Sequence, residues 1–333
     1  MKTRFAFAGF RHSHILDLLA GVREREDTEV VACWEEDAAA REAAAEKAGV
    51  NFTHTDFATM LREVDCDVVA IGDYYARRGE LAIAALRAGR HVLSDKPLCT
   101  SLEEQKQIEQ LVAGSDRKVG LQLDSRDRPS FLALREIIRS GEIGEVCALR
   151  IDGQHPLLLG TRPGWYFEEG KHGGTINDIG IHAFDFVPWL TGLEWRAVTA
   201  ARSWNAKARA YPHFQDCAQM MAVLSNGAGV IADFSYLAPD ELGYRLPHYW
   251  HLQVHGTCGL AETHLFADTV TVITDKNKEP DQRRVEEGRV RGYLEDFLNE
   301  IRGHGDAAEL TTALCLRASR LALETQRMAV TTW

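Results

Sequence analysis

The sequence predicts an α/β protein of two domains, in which a doubly wound parallel sheet precedes an α+β domain with an open, mainly antiparallel sheet. Up to about residue 123, short apolar segments alternate with helical patterns, as in a parallel sheet with both faces covered. Beyond residue 145, polar and apolar residues alternate, which suits an antiparallel sheet with one covered face. The 333 residues are also enough for two domains. We predict domains at 1–123 and 124–333, and the final helix is a candidate to pack back on the first.

The composition excludes several classes of partner. The net charge is −11 without a long basic run, so we expect no nucleic acid partner. No segment approaches the roughly 20 apolar residues of a membrane helix, so we expect no membrane partner. The seven cysteines are scattered without a C-x-x-C pair. This argues for reduced thiols in the cytoplasm, rather than a disulfide framework or structural zinc.

The first domain alternates strands with helices. Its strands are short and apolar, and two of its helices end at glycines, Gly49 and Gly89. The predicted strands span 4–8, 29–35, 67–72, 90–94 and 118–123, and the predicted helices span 15–21, 38–48, 57–61, 79–88 and 101–114. In such a sheet, ligands bind at the carboxyl ends of the strands.

The turn after the first strand reads Gly9-Phe10-Arg11-His12-Ser13-His14. It leads into a helix, whose first backbone N–H groups can bind a phosphate. A dinucleotide fingerprint there would read G-x-G-x-x-G, but Arg11 and His14 take the second and third glycine places. We predict that these six residues bind a cofactor. Arg11 and the two imidazoles either contact its pyrophosphate directly or block it.

Glu35 lies at the end of the second strand. A carboxylate there accepts hydrogen bonds from the adenine ribose hydroxyls and repels a 2′-phosphate, which favours NAD over NADP. The alternative is that Glu35, Glu36 and Asp37 only begin a solvated helix, where acidic residues are favourable.

Lys96 follows the fourth strand, within Asp95-Lys96-Pro97. A residue before proline is held away from helical geometry, so Lys96 lies on a rigid turn at a strand end. There it can bind a substrate hydroxyl and help to carry its proton. The alternative is an ordinary surface lysine.

The segment 172–192 predicts a helix that begins after two glycines and ends at Gly192. The spacing places Asp178, His182 and Asp185 on one face, and we predict that Asp185 contacts the substrate. Such a face suits proton transfer, because imidazole titrates near neutral pH and a carboxylate one turn away can orient it. The alternative is that Asp178 joins Thr175 in a capping box and Asp185 is solvated. Pro188 should kink or end the helix near its last turn.

The second domain contains a loop that could receive a substrate. Trp165 and Tyr166 could stack on a sugar ring, while His155 and Arg162 bind hydroxyls or a carboxylate. The alternative is that the aromatic rings are packing residues. The predicted strands begin near 146, 198, 217, 229, 250, 259 and 269, and the final helices span about 290–303 and 307–328. Additional acidic and imidazole groups occur at His213, Asp216, His248 and His251 without the spacing of a known metal motif. A metal site that combines Asp178 and His182 with one or two of these histidines is an open alternative, but we do not predict it.

Several motifs together resemble the Gfo/Idh/MocA oxidoreductases. The resemblance rests on segments 67–71 and 85–98, Arg126-x-x-Pro129, segment 141–146, Gly173-Gly-x-x-x-Asp178-x-x-x-His182-x-x-Asp185 and Gly256-Thr-x-Gly259. It implies a Rossmann domain, then a domain whose open sheet is the usual oligomer interface. It implies Lys96, Asp178 and His182 as the catalytic group. It also implies that a cofactor lies against Gly72, Asp73, Tyr74 and Asp95. Departures from the family are Asp73-Tyr74-Tyr75 in place of Thr-Pro-Asn and Arg78 in place of a histidine.

These observations predict an NAD-dependent oxidoreductase that transfers hydride between a nicotinamide cofactor and a sugar, sugar acid or cyclitol. We expect a homodimer or homotetramer formed through the second sheet. One alternative is a lyase, hydratase or epimerase for a sugar-like substrate, either metal-assisted or using bound NAD transiently, which the degraded fingerprint favours. Another is a non-catalytic ligand-binding protein, which the presence of Lys96, Asp178 and His182 disfavours.

Overall fold

A computed structural model describes residues 1–276 and 278–329, and these form two compact units. The first unit comprises 1–122, 163–173 and 293–320, and the second comprises the rest. The sequence predicted one boundary near 123, whereas two later segments also cluster with the first unit. One reason is apolar burial: Phe297 is 1% exposed and packs so closely on Gly120 that a Cβ there would lie 2.7 Å from its ring.

The first unit is built on a parallel sheet, as predicted. Within the described residues this sheet has five strands in the order β2-β1-β3-β4-β5. Its strands are β1 Thr3–Ala8, β2 Thr28–Trp34, β3 Val68–Ile71, β4 His91–Ser94 and β5 Val119–Leu121, and its helices are α1 His14–Glu24, α2 Ala38–Ala48, α3 Phe57–Glu63, α4 Tyr75–Arg87 and α5 Leu102–Ala113. Side-chain caps begin three of these helices, since Asp37, Asp56 and Ser101 each accept a backbone hydrogen bond from the first turn.

The order of strands reverses between β1 and β3, which makes their carboxyl ends the expected ligand position. Gly9 ends β1 with φ +81°. A side chain on Gly9 would meet Asp73 at 2.5 Å, so only glycine lets the two strand ends approach this closely. The sequence predicted the need for glycine here correctly.

The second unit is built on a mainly antiparallel sheet. Within the described residues it has eight strands in the order β13-β12-β11-β10-β6-β9-β8-β7, with β6 and β9 parallel. The strands are β6 Val146–Pro156, β7 Trp195–Trp204, β8 Cys217–Leu224, β9 Gly229–Ala238, β10 Tyr249–Gly256, β11 Gly259–His264, β12 Thr269–Thr274 and β13 Asp281–Arg284. Seven of these were predicted, whereas β13 was missed because its residues, Asp-Gln-Arg-Arg, are all polar.

Four helices follow the first domain's sheet along the chain in the described residues. They are α6 Pro129–Arg139, α7 Ile181–Thr191, α8 Gly292–Ile301 and α9 Thr312–Met328. Helix α6, which has Pro129 at its first position, was not predicted from the sequence. None of the helices in the described ranges combines the length and the apolar character that a bilayer crossing requires.

The helix predicted after Gly173 begins differently from the prediction. Residues Ile176–Gly180 form a π-helical segment, and α7 continues it to Gly192, which has φ 75°. The predicted capping box is wrong, because the Thr175 hydroxyl donates to the Gln215 carbonyl and caps no helix N–H. Pro188 lies in the last turn of α7, near the helix end.

Candidate active site

The turn after β1 lies directly against the end of β3 in the first unit. The His12 N–H donates to the Gly72 carbonyl (3.0 Å), and Gly9 N–H donates to the Trp34 carbonyl (2.9 Å). Helix α1 then begins at His14. The predicted cofactor residues Gly9, His12, His14 and Gly72 are therefore at the carboxyl edge of the sheet.

Glu35 lies at the end of β2, is fully buried, and serves the turn itself. One carboxylate oxygen accepts from the Phe10 N–H (2.6 Å). The other accepts from Arg11 Nε (2.9 Å) and the Asp37 N–H (2.8 Å). A ribose hydroxyl would compete with these donors, so the direct ribose contact assigned to Glu35 stays a prediction. The visible role of Glu35 is to hold Phe10 and Arg11.

Asp73, at the end of β3, offers a buried acceptor. One of its oxygens accepts from the Tyr74 N–H (2.7 Å). The other oxygen accepts no hydrogen bond from any described residue, and the nearest cation is Arg77, whose Nε lies 4.0 Å away. Burial, with the nearby Glu35 carboxylate, raises the pKa of Asp73 to about 6. A neutral hydroxyl is a suitable donor for this oxygen.

Asp95 is the centre of a buried polar cluster. His12 Nδ1 and His14 Nδ1 both contact its carboxylate, the latter at 3.3 Å, and Arg78 Nη2 donates to it at 2.8 Å. Burial alone would raise the pKa of Asp95, but Arg78 and the two imidazoles hold it well below its ordinary value. Burial lowers the pKa of His12 to about 4, although Asp95 opposes this shift.

Aromatic side chains cover this cluster within the first unit. Trp165 stacks on Tyr166 with ring centroids 4.1 Å apart, and the Tyr166 hydroxyl lies 2.7 Å from that of Tyr75. Trp165 also donates to the Arg11 carbonyl (3.2 Å). Trp165 and Tyr166 were predicted to bind substrate. In the structure they contact the turn 9–14 after β1, and they are at most 5% exposed. This contact favours a place beside the cofactor turn for both residues.

Lys96 follows β4 and is 4% exposed. Its carbonyl accepts from Arg78 Nη1 at 2.5 Å, so the same guanidinium contacts the backbone of Lys96 and the carboxylate of Asp95. The alternative of an ordinary surface lysine does not fit this burial. Lysine is seldom buried without a partner or a function.

The second unit places the predicted acid and imidazole in an aromatic environment. The Tyr236 hydroxyl donates to Asp178 Oδ2, and His182 Nδ1 lies 3.3 Å from Ser125 Oγ. The indole of Trp250 packs edge-on to the His182 ring at 5.3 Å. Ser125 thus engages one ring nitrogen of His182, and an imidazole is a group that can exchange protons near neutral pH.

Asp185, which was predicted to contact the substrate, is paired with a buried arginine. Both carboxylate oxygens accept from Arg126 Nε, at 2.9 and 3.0 Å, and both side chains are at most 4% exposed. A carboxylate satisfied by a bidentate arginine has little capacity for a ligand hydroxyl. The geometry therefore favours a structural role for Asp185, linking α7 to the turn before α6.

His155 and Arg162, also predicted to bind substrate, both lie beside Tyr236 in the second unit. Their ring and guanidinium groups are 6.1 and 5.2 Å from the Tyr236 ring. Arg162 also donates to the Leu157 carbonyl (2.9 Å) and the Pro156 carbonyl (2.7 Å). Because Tyr236 in turn contacts Asp178, these residues form one cluster of polar and aromatic groups.

Four residues of these clusters were not predicted as site residues from the sequence: Tyr75, Arg78, Ser125 and Tyr236. Tyr75 and Arg78 occupy positions where the family pattern has other residues, and that difference was an available signal. Ser125 and Tyr236 carry no local signal, because each acts through a partner 57 or 58 residues away.

A parallel sheet whose first strand leads through a tight turn into a helix defines a domain of the dinucleotide-binding class. Residues 4–123 match the oxidoreductase family with an NAD-binding Rossmann fold, and residues 131–262 match the GFO/IDH/MocA C-terminal domain. The chain belongs to the GFO/IDH/MocA oxidoreductase family, as the sequence motifs indicated.

Similar proteins include enzymes that act on sugars and cyclitols. The chain is 30% identical to an inositol 2-dehydrogenase of Saccharopolyspora erythraea over 61% of its own length and 56% of that protein. It is 30% identical to a 1,5-anhydro-D-fructose reductase of Ensifer adhaerens over 47% of each chain. The matched region thus spans about half the length of these curated relatives.

Solved structures resemble the chain over its whole length. An oxidoreductase from Erwinia carotovora atroseptica superposes with a TM-score of 0.88, at 25% identity and full coverage of both chains. An inositol dehydrogenase homologue from Azotobacter vinelandii, solved with NAD+, has a TM-score of 0.81 at 14% identity and covers 99% of this chain and 97% of its own. At that identity the second likeness concerns the fold.

Proposed function

We propose that this protein is an oxidoreductase that transfers hydride between a nicotinamide cofactor and a polyhydroxylated substrate. Two features together support the proposal. Lys96 is buried at a strand end of the first unit, and the second unit contains the Asp178–Tyr236 and His182–Ser125 pairs. The relatives named as inositol dehydrogenase and anhydrofructose reductase support a sugar or cyclitol as the substrate.

The first unit has features that fit NAD. One buried oxygen of Asp73 accepts no hydrogen bond from the described residues, which suits a ribose hydroxyl, and the turn at Gly9 leads into the N-terminus of α1. Glu35 and Asp73 together make this edge acidic, which disfavours the 2′-phosphate of NADP. We therefore propose NAD, held by the turn 9–14 and by the residues that follow β3 and β4.

Each catalytic side chain has a distinct task in this proposal. A bound nicotinamide cofactor supplies the hydride acceptor. His182 removes the hydroxyl proton of the substrate, while Ser125 engages its Nδ1. Asp178 orients the imidazole and stabilises its positive charge, with Tyr236 holding the carboxylate in place. Lys96 stabilises the oxygen that becomes a carbonyl.

The substrate class follows from the groups around Asp178. Tyr236, His155 and Arg162 offer ring faces, an imidazole and a guanidinium within one cluster of the second unit. Ring faces suit the apolar face of a pyranose or cyclitol, while the polar groups suit its hydroxyls or a carboxylate. We propose a sugar, sugar acid or inositol.

Replacing His182 tests the assignment of the base. We expect His182→Ala to lower the rate of NAD reduction with the best member of a polyol and sugar panel by roughly 10²- to 10⁴-fold, because the general base is lost. His304→Ala, at an exposed position, serves as the control. Initial rates are measured with both variants and the wild type. Equal rates for His182→Ala and the wild type would refute the role of His182 as the base.

A second function is favoured by the occupied carboxylate of Glu35 and by the side chains at the glycine places of the fingerprint. These features suit an epimerase or lyase that uses bound NAD only transiently. The two functions differ in whether turnover consumes added NAD. Product formation from a sugar without net NADH accumulation would support this second function.

A further inference from the structure

His12, His14 and Asp95 bring metal-type donor atoms together in the first unit. One such atom from each residue lies within 4.8 Å of the other two. The sequence predicted no metal site, and the three residues were assigned to a cofactor instead. We propose that they form a binding site for one divalent transition-metal ion, with zinc as the best-suited ion. This site rests on its own geometry. Its test measures ion binding rather than activity, because the same three residues lie among those proposed to hold NAD.

The chemistry of the donors fits this class of ion. Two imidazole nitrogens and a carboxylate oxygen form a common ligand set for zinc and for non-haem iron. Zinc binds such atoms at about 2.0–2.2 Å, so bound donors lie roughly 3–3.5 Å apart. His14 Nδ1 and Asp95 Oδ1 are already 3.3 Å apart. For an ion to bind, side-chain rotation has to open the hydrogen bond between His12 Nδ1 and Asp95 Oδ2.

The surroundings supply the outer contacts that a metal-binding histidine needs. The Tyr75 hydroxyl lies 3.4 Å from His12 Nε2 and is itself held by the Tyr166 hydroxyl. When Nδ1 binds a metal, the proton of the neutral ring resides on Nε2 and can be donated to Tyr75. Such a partner fixes the tautomer and the orientation of the ring.

Access and charge set the expected strength. The His14 side chain is 49% exposed, which gives an ion a path to an otherwise buried cluster. Arg78 donates to Asp95 Oδ2 and leaves Oδ1 directed at His14. The guanidinium charge repels a cation, whereas the ion gains three ligands and the Asp95 charge. We therefore expect one ion per chain. It should bind less tightly than at a site that has the same carboxylate and imidazole ligands but no neighbouring arginine.

The test uses the full-length protein without an affinity tag. After treatment with a chelator, the protein is titrated with Co²⁺, and bound Zn²⁺ is measured by elemental analysis after desalting. We expect one equivalent of each ion and visible cobalt absorption bands typical of four- or five-coordination. Because His14 is half-exposed, His14→Asn should fold normally, and we expect it to weaken binding at least about 100-fold.

The matched control is His304→Asn, which changes an exposed histidine of the same unit. It should bind both ions as the wild type does. His14→Gln provides a second variant, and circular dichroism verifies the fold of each. Absence of cobalt bands in the wild type, or equal binding by the folded His14 variants, would overturn the proposal and leave the cluster as a hydrogen-bonded network.

Discussion

Asp73 shows how burial of one carboxylate affects stability. Its ionised form lies near Glu35, and only one of its oxygens accepts a hydrogen bond from a described residue. The pKa in the folded chain, about 6, is above the ordinary 3.8, so the folded state binds a proton more readily than the unfolded state does. The ionised carboxylate therefore destabilises the fold increasingly between pH 3.8 and 6, and fully above that range.

We predict that Asp73→Asn raises the free energy of unfolding at pH 8 by about 3 kcal/mol. The amide oxygen can keep the hydrogen bond from the Tyr74 N–H while the charge is removed. Urea unfolding at several pH values provides the measurement, and the gain should vanish below about pH 4. Asp306→Asn, at an exposed position, should show no such pH dependence. A gain that is the same at pH 4 and pH 8 would show that the charge is not its cause.

Helix α7 is held by a buried ion pair as well as by apolar packing. Arg126 lies in the short turn before α6, and its partner Asp185 lies in the middle of α7, 59 residues later. Since His182 is on the same helix, this pair also positions the proposed base. Removing one member leaves the other charge buried without its partner, which is strongly unfavourable.

We predict that Arg126→Met lowers the free energy of unfolding by about 3–5 kcal/mol. The double variant Arg126→Met/Asp185→Leu should recover most of this loss, because neither charge then remains buried. The two variants are compared by urea unfolding, with Arg150→Met at an exposed position of β6 as the control. A loss below about 1 kcal/mol in Arg126→Met would contradict a buried, desolvated pair.

The large sheet leaves apolar side chains exposed in the isolated chain. Met221 on β8 and Ile231 on β9 are direct neighbours in the sheet, and they are 54% and 55% exposed. Leu237, also on β9, is 45% exposed. Apolar groups that are adjacent on a surface are typical of a protein interface. They support the predicted association of this chain as a homodimer or homotetramer through the second sheet.

We predict that Ile231→Glu converts the oligomer to a monomer, because a buried carboxylate without a partner opposes association. Light scattering coupled to size-exclusion chromatography measures the mass, which is 37.2 kDa for one chain. Glu262→Gln, at another position of the same sheet, is the control. A wild-type protein that is monomeric at high concentration would contradict the interface.

Much of the fold follows from local patterns in the sequence. The alternating segment 217–224 is a strand because alternation places its apolar side chains on one face of the sheet. The short apolar segment 67–72 suits a strand of a parallel sheet that is covered on both faces. Gly9 and Gly192 were identified as the first glycine of a fingerprint and as a helix end, and in the structure both have positive φ. Polar strands such as β13 carry no such pattern, and pairing with β12 alone makes them strands.

The sequence by itself determined the two sheets, the family and the positions of Lys96, Asp178 and His182 along the chain. Only the tertiary structure decided what their neighbours do. Asp185 pairs with Arg126, the Glu35 carboxylate serves the turn that precedes α1, and Asp95 meets two histidines more than 80 residues away. The physical reason is that periodicity and turn chemistry act between near neighbours in the chain. Partners of buried polar groups depend on which strand ends and helices the topology brings together.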